Sequence, residues 1–477
     1  MGVSAPRTYT ARVPQQPASR PRRKRGLNRI PPAARLPFAL LLVLALVLGI
    51  GAIAALNPWR ESGEAGPSEA PTTDAGTPSS DPTTPEETTP EETTPAVEDA
   101  VFTIGAVGDV LPHDTPIATA AADADGDGYD FRPMLEATRP WSEGVDLMLC
   151  NFEVPLSMPG ETPSGYPSFG APEELPGNLV DLGYDGCSTG TNHTLDRGAD
   201  NAEYTLDVFD EVGLGHAGSA RSQEEADSPQ LYEIERGGQT ITVAQIGGSY
   251  GTNGNPIPSD APWVITTFSP DIMNPGNYDP TEIIEQATAA REAGADLVVA
   301  TLHWGVEYQL APNYEQTAMA EALADSGQID LVIGTHPHVP QPFARLDGGP
   351  DGDGMWVAWS LGNFISNQDS NCCISQTATG LFMTAMVAKP VDGPARVTGL
   401  TWTPITVDRL GQQRAYPLLD LIDGEQPDIL TLSDATLQQR LTEVEDIMDD
   451  STGGDFPMVE EPSEPTGDPP TVEPRTG

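Results

Sequence analysis

The sequence predicts one α/β domain over residues 100–410, with sheet layers covered by helices, and three observations predict it. Short runs rich in Val, Ile and Leu recur through this segment, helical stretches lie between most of them, and segments unable to build a core flank it on both sides. Apolar strands separated by helices of roughly 10–15 residues are the pattern of sheets buried on both faces.

Taken in order, the apolar runs fall at 101–107, 145–150, 185–188, 240–246, 295–302, 330–333 and 355–361. Helical patterns occupy 200–212, 280–293 and 314–325. After Gly380 the helices thin out, and 381–389 and 396–407 read as consecutive strands. A closing helix is predicted over 434–448, within a C-terminal extension at 411–449.

The flanks differ in kind. Residues 1–35 are basic, and 36–56 form an apolar run long enough to cross a bilayer core of about 30 Å as a helix. Nine Lys and Arg precede it, including Arg22, Arg23, Lys24 and Arg25, so the N-terminus is expected in the cytoplasm and the rest of the chain outside. A cleaved signal peptide is the competing reading, because Ala52-Ile53-Ala54 has the form of a cleavage site. The run is longer than an ordinary signal core, so an uncleaved single-pass anchor in the cell membrane is expected. Export holds on either reading. Residues 57–99 are a Thr/Pro/Glu-rich stalk and 450–477 an acidic, Pro-rich tail, both expected to be disordered.

Charge narrows the partners. Ten of the 23 Lys and Arg lie in the first 60 residues, which contain no Asp or Glu. That leaves 13 against all 71 acidic residues in the remainder, a net charge of −58. Such a field repels nucleic acid and anionic lipid and attracts cations. Of the four cysteines, Cys150 and Cys187 lie near strand ends, where a bridge and two small buried hydrophobes are equally good readings. Cys372 and Cys373 are adjacent, and their spacing matches no common zinc site.

In layered α/β folds, functional side chains gather just beyond the carboxyl ends of strands. Five of the six histidines sit at such places. The first strand ends at Asp109, with His113 beyond it, and the second ends in Asn151-Phe152-Glu153. Later come Asn192-His193 with Asp196, then His303-Trp304-Gly305 with Glu307, and finally His336-Pro337-His338. Packing explains one such histidine more simply than five. A set of carboxylate, amide and imidazole suits divalent Mn, Fe or Zn, one ion or two, and the lack of Cys ligands speaks against a structural zinc site. Asp123, Asp125 and Asp127 followed by Gly128 begin like a calcium loop, but Met134 stands where its bidentate Glu belongs, so a solvated acidic loop is expected. Trp304 is expected to support its strand from within the core.

These motifs, together with Ser360-Leu361-Gly362-Asn363-Phe364, follow in an order that resembles the CapA proteins. Those are poly-γ-glutamate capsule biosynthesis proteins of the calcineurin-like metallophosphatase superfamily, and the resemblance covers roughly 101–368. It implies a four-layer α/β/β/α sandwich with a metal site at the strand ends, and a one-helix anchor with the domain outside. Carried over residue by residue, it makes Glu153 a carboxylate bridging two metals. Asp109, His303, His336 and His338 complete the ligand set, with Asn192 as a neutral oxygen ligand. His193, oriented by Asp196, would donate a proton to a leaving group. His113, Asn151, Glu307 and Asn363 are further or supporting candidates. Two departures stand out: Asp109 is followed by Val110-Leu111 rather than by Asp-x-His, and the bridging Asp is here Glu153. The implied function is capsule or envelope polymer synthesis within a membrane complex. The alternatives are a phosphoesterase acting on cell-wall or lipid-linked phosphate, and a subunit that guides an anionic polymer without catalysis.

Overall fold

The computed structural model describes residues 97–269, 277–452 and 456–475. The basic segment, the apolar run at 36–56 and nearly all of the stalk lie outside the described residues. Among the described residues no helix is long and apolar enough to cross a membrane.

The strands, in chain order, begin with β1 (Ala100–Val110), β2 (Leu147–Phe152), β3 (Gly186–Ser188), β4 (Gly215–Ala217) and β5 (Gln230–Arg236). There follow β6 (Gln239–Ser249), β7 (Leu297–His303), β8 (Leu331–Thr335), β9 (Pro340–Leu346) and β10 (Met355–Leu361). The last are β11 (Asn363–Ile365), β12 (Thr379–Lys389), β13 (Arg396–Asp408), β14 (Arg414–Pro417) and β15 (Thr471–Val472). They form two mixed sheets. The first has the order β14-β13-β12-β1-β2-β3-β4, with β11 paired to β1, and the second the order β15-β5-β6-β7-β8-β10-β9.

Alternation along single strands explains the layering, since successive side chains point to opposite faces. Leu147 and Leu149 of β2 enter a core shared by both sheets, where they meet Leu297 and Val299 of β7. Met148 and Cys150 point the other way, into an outer core closed by Leu175, Leu179 and Phe209 of the helices Glu174–Asp181 and Ala199–Val212. Val298 and Ala300 face the opposite outer core, filled by Ile283, Ala287, Met319 and Leu323 of the helices Thr281–Glu292 and Tyr314–Ser326. Helix, sheet, sheet, helix is the four-layer order the resemblance implies. Trp304 is buried, stacked on Trp359 and donating to its carbonyl, as a core support. Cys150 and Cys187, register partners on β2 and β3, are joined by a disulfide.

Two expectations are corrected and a third is refined. A boundary at 410 would cut the β13–β14 hairpin, so the extension belongs to the first sheet and its domain. The acidic tail is not disordered where it is described. β15 adds to the edge of β5, Trp402 bridges Met458, and half-buried Arg475 donates to the carbonyls of His216 and Ser219. A few anchors suffice to seat the tail, and its average composition hid them. The loop at Asp123 is solvated as expected at Asp125 and Asp127, which are exposed, but Asp123 itself is held by Arg414 through both oxygens at 2.8 and 3.0 Å.

Candidate metal centre

β1, β2, β7 and β8 run parallel, and their carboxyl ends bring distant motifs to one point. Asp109 ends β1, and Asn151 and Glu153 end β2. His303 ends β7, and His336 and His338 follow β8. Asp109 approaches so closely because Gly108 lies against Gly362, whose carbonyl oxygen a Cβ at 108 would overlap. His336 and His338 adopt φ of 94° and 59°, in the left-handed region that costs a non-glycine residue about 1–3 kcal/mol. The fold holds both imidazoles in strained turns at the same place.

Two ligand sets emerge. Glu153, His303 and His336 each offer an atom within 4.8 Å of the others, and so do Asp109, Glu153 and His338. Glu153 is common to both, and all five side chains are buried. Neither carboxylate oxygen of Glu153 has a hydrogen-bond partner, and neither has His336 Nδ1. A buried unpaired carboxylate costs several kcal/mol unless something charged meets it. The donor set fits divalent cations: oxygen and imidazole nitrogen, convergent, and left unsatisfied by protein. Burial, then the charge of Asp109, raises the Glu153 carboxyl well above its usual range. Burial and neighbouring imidazoles depress His303 and His336, which keeps them neutral, the form that binds metal. For His338 burial acts downward, but Glu153 and Asp109 outweigh it and lift the imidazole to about 10.

Supporting contacts fix these groups. Asn151 Nδ2 donates to Asp109 Oδ1 at 3.0 Å. Asn363 Oδ1 lies 3.1 Å from His338 Nδ1, while its amide donates to the His338 and Thr377 carbonyls. Thr335 Oγ1 lies 3.0 Å from His303 Nδ1. Asn192 Oδ1 is 2.9 Å from His303 Nε2, so it shares the position of that nitrogen as a neutral oxygen donor. His193 Nδ1 meets Asp196 Oδ2 at 2.7 Å, the pairing foreseen for a proton donor. Phe169 packs edge-on between the His193 and His113 rings.

Two candidates sit apart from the ligand sets. His113 belongs to neither; its Nδ1 lies 2.9 Å from the Leu111 carbonyl, and burial lowers it to about 4. It does not replace the missing Asp-x-His nitrogen. Glu307 is exposed rather than bonded to His303, whose Nδ1 faces Thr335 and Asn151. Both instead line a cavity of about 440 Å³ that opens beside His193 and His338. Sequence reasoning missed Tyr250 and Asn253, which hold the Asn192 amide from the loop after β6. Asn253-Gly254 at a strand end was the available signal.

The family model described as bacterial capsule synthesis protein PGA_cap matches residues 103–368. The chain belongs to this family. Among PGA_cap relatives, it is 27% identical over 253 residues to the capsule biosynthesis protein CapA of Bacillus anthracis, covering 51% of this chain and 55% of that one. It is 29% identical over 191 residues to the PGA biosynthesis protein CapA of Bacillus subtilis, covering 40% and 44%. A probable polyglutamine synthesis accessory protein of Mycobacterium tuberculosis is 23% identical over 292 residues, covering 58% and 72%. The chain thus spans about half the length of the two Bacillus relatives. A calcineurin-like phosphoesterase of Bacillus subtilis, YfkN, aligns over 72% of this chain and 98% of its own at 14% identity, with a TM-score of 0.34.

Proposed function

We propose that this PGA_cap protein is a metal-dependent enzyme of capsule polymer metabolism, anchored by residues 36–56 and carrying its site outside the cell. The observation that carries the reading is Glu153. Two ligand sets share this one carboxylate, and both its oxygens are buried without a hydrogen-bond partner. Export is supported by the basic flank before the apolar run and by the Cys150–Cys187 disulfide, which suits an oxidising compartment. The substrate class, a γ-glutamyl polymer in preference to a lipid-linked phosphate, is supported by the names of the relatives.

Glu153, His303 and His336, with Asn192, would hold one divalent ion, and Asp109, Glu153 and His338 the other. Mn, Fe or Zn bound there supplies Lewis acidity, lowering the pKa of a water and stabilising charge that develops in the transition state. The remaining work belongs to the chain. Asp196 holds His193 Nδ1, which leaves Nε2 as the nitrogen that serves the leaving group. Asn253 Nδ2 lies 3.5 and 3.4 Å from the two ring nitrogens and packs against the imidazole. Asn151 and Asn363 keep the Asp109 and His338 atoms aimed inward.

The test is hydrolysis of γ-glutamyl oligomers by the metal-loaded full chain. His193→Ala is expected to keep its metal and lose about 10²–10⁴-fold in turnover, the usual worth of a placed proton donor. Full turnover in His193→Ala would remove its role. Full metal with no turnover in the wild type would contradict the enzymatic reading.

A further inference from the structure

The cavity beside the metal centre carries an unusual charge. Among the described residues that line it there is no Lys or Arg, and Glu307 is its one carboxylate. The chain has few cations to spare. Of the 13 basic residues beyond position 60, ten are engaged in ion pairs with carboxylates, among them Arg197 with Glu161 and Arg409 with Asp369. The other three are spent elsewhere. Arg345 lies over the Trp356 ring, Arg440 bonds Thr406 and the Val407 carbonyl, and half-buried Arg475 donates to backbone carbonyls. Beside Glu307, the ionisable groups on its wall include the imidazoles of His113, His193 and His338.

The aromatic walls favour a positive charge. Tyr166 is 76% exposed, and Tyr308, also on the wall, lies tilted with its ring centroid 6.3 Å from that of His338. Aromatic faces and a carboxylate together attract an ammonium group. Asn367 and Gln368 add amide dipoles that suit a peptide-like backbone.

We propose that this cavity binds a primary ammonium group, with Glu307 as its counter-ion and Tyr166 and Tyr308 as its aromatic walls. The inference rests on the metal-centre reading above for one step, the placing of this group next to the reacting bond. For a γ-glutamyl chain the candidate group is the free amino end, whose α-carbon also carries a carboxylate.

The experiment has two arms on the metal-loaded full chain. The first compares benzylammonium with benzyl alcohol by titration calorimetry, free of any assumption about the polymer. A partly exposed ion pair and a cation–π contact together predict about tenfold tighter binding of the ammonium. That preference should vanish in Glu307→Gln and persist in Glu307→Asp, with metal content unchanged in both. The second compares γ-glutamyl oligomers bearing free and acetylated amino ends, where the acetylated oligomer should show the higher KM with little change in kcat. Equal binding of the two benzyl probes, or a preference that survives Glu307→Gln, would overturn the proposal. A benzylammonium preference without turnover of either oligomer would uphold the subsite and sink the polymer reading.

Discussion

The two ends of the parallel strands treat buried carboxylates in opposite ways. At the amino ends, Asp146 is met by Arg236 at 2.7 Å and by the Thr103 and Thr466 amides. Asp330 there accepts from Arg291 and from the Val298 amide. At the carboxyl ends, Glu153 has no hydrogen-bond partner and sits beside Asp109. One end pairs its carboxylates with guanidinium groups and amides, and the other leaves Glu153 without a hydrogen bond. A protein tolerates the second arrangement where a ligand completes it, and here the ligand is a cation. The site also lies far from where the chain enters the sheet: β1 begins at Ala100 and reaches Asp109 nine residues later, about 30 Å away along an extended strand.

The largest expected effect breaks the paired end. Arg236→Met removes the counter-ion of a fully buried Asp146 and should cost about 3–5 kcal/mol at pH 7, read by urea denaturation. Burial acts to raise the Asp146 carboxyl, but Arg236 and the Thr103 and Thr466 donors outweigh it and hold it below its usual 3.8. Its contribution is therefore present above that value and lost as pH falls through the lower, folded one. The gap between wild type and Arg236→Met should close in strong acid. A gap independent of pH would show that Arg236 acts by packing alone.

The mirror experiment relieves the unpaired end. In chelator-treated protein, Glu153→Gln should stabilise by about 1–4 kcal/mol at pH 8, because burial of the carboxylate and its repulsion by Asp109 outweigh the attraction of His338. The Glu153 carboxyl is raised in the fold, so its penalty grows as pH rises above 4.5 and disappears below it. Metal-free Glu153→Gln should melt above metal-free wild type at pH 8 and with it near pH 4. A loss of stability at pH 8 would mean that the carboxylate is structurally paired after all. A smaller effect is expected from Asn363→Ala, which releases His338 and should weaken metal affinity about 10–100-fold without unfolding the chain. Competition with a metallochromic chelator reads that change.

Much of this was legible in the sequence, and the reasons are specific. Long apolar strands such as β7 and β10 declare themselves because both their faces are buried. The site residues follow such strands directly, so the His303 and His336 motifs could be placed at strand ends from pattern alone. Short or half-polar strands escaped: β4 has three residues, and β5 alternates Tyr232 and Ile234 with Glu233 and Glu235 at a sheet edge. The tail escaped for a different reason. Its order comes from single long-range contacts, such as Arg475 on His216, which no local window contains. His113 looked like a ligand because it lies four residues after Asp109. Its ring is instead turned to Leu111 and Phe169, a matter of local geometry that spacing does not fix.

The central claim is that Glu153 serves two cation sites at once. Metal analysis of the purified full chain beside Glu153→Gln and His336→Ala tests it most directly. The account predicts two divalent ions per chain in the wild type, one in His336→Ala, and fewer than one in Glu153→Gln. A wild type holding less than one ion, or the same content in all three proteins, would contradict it.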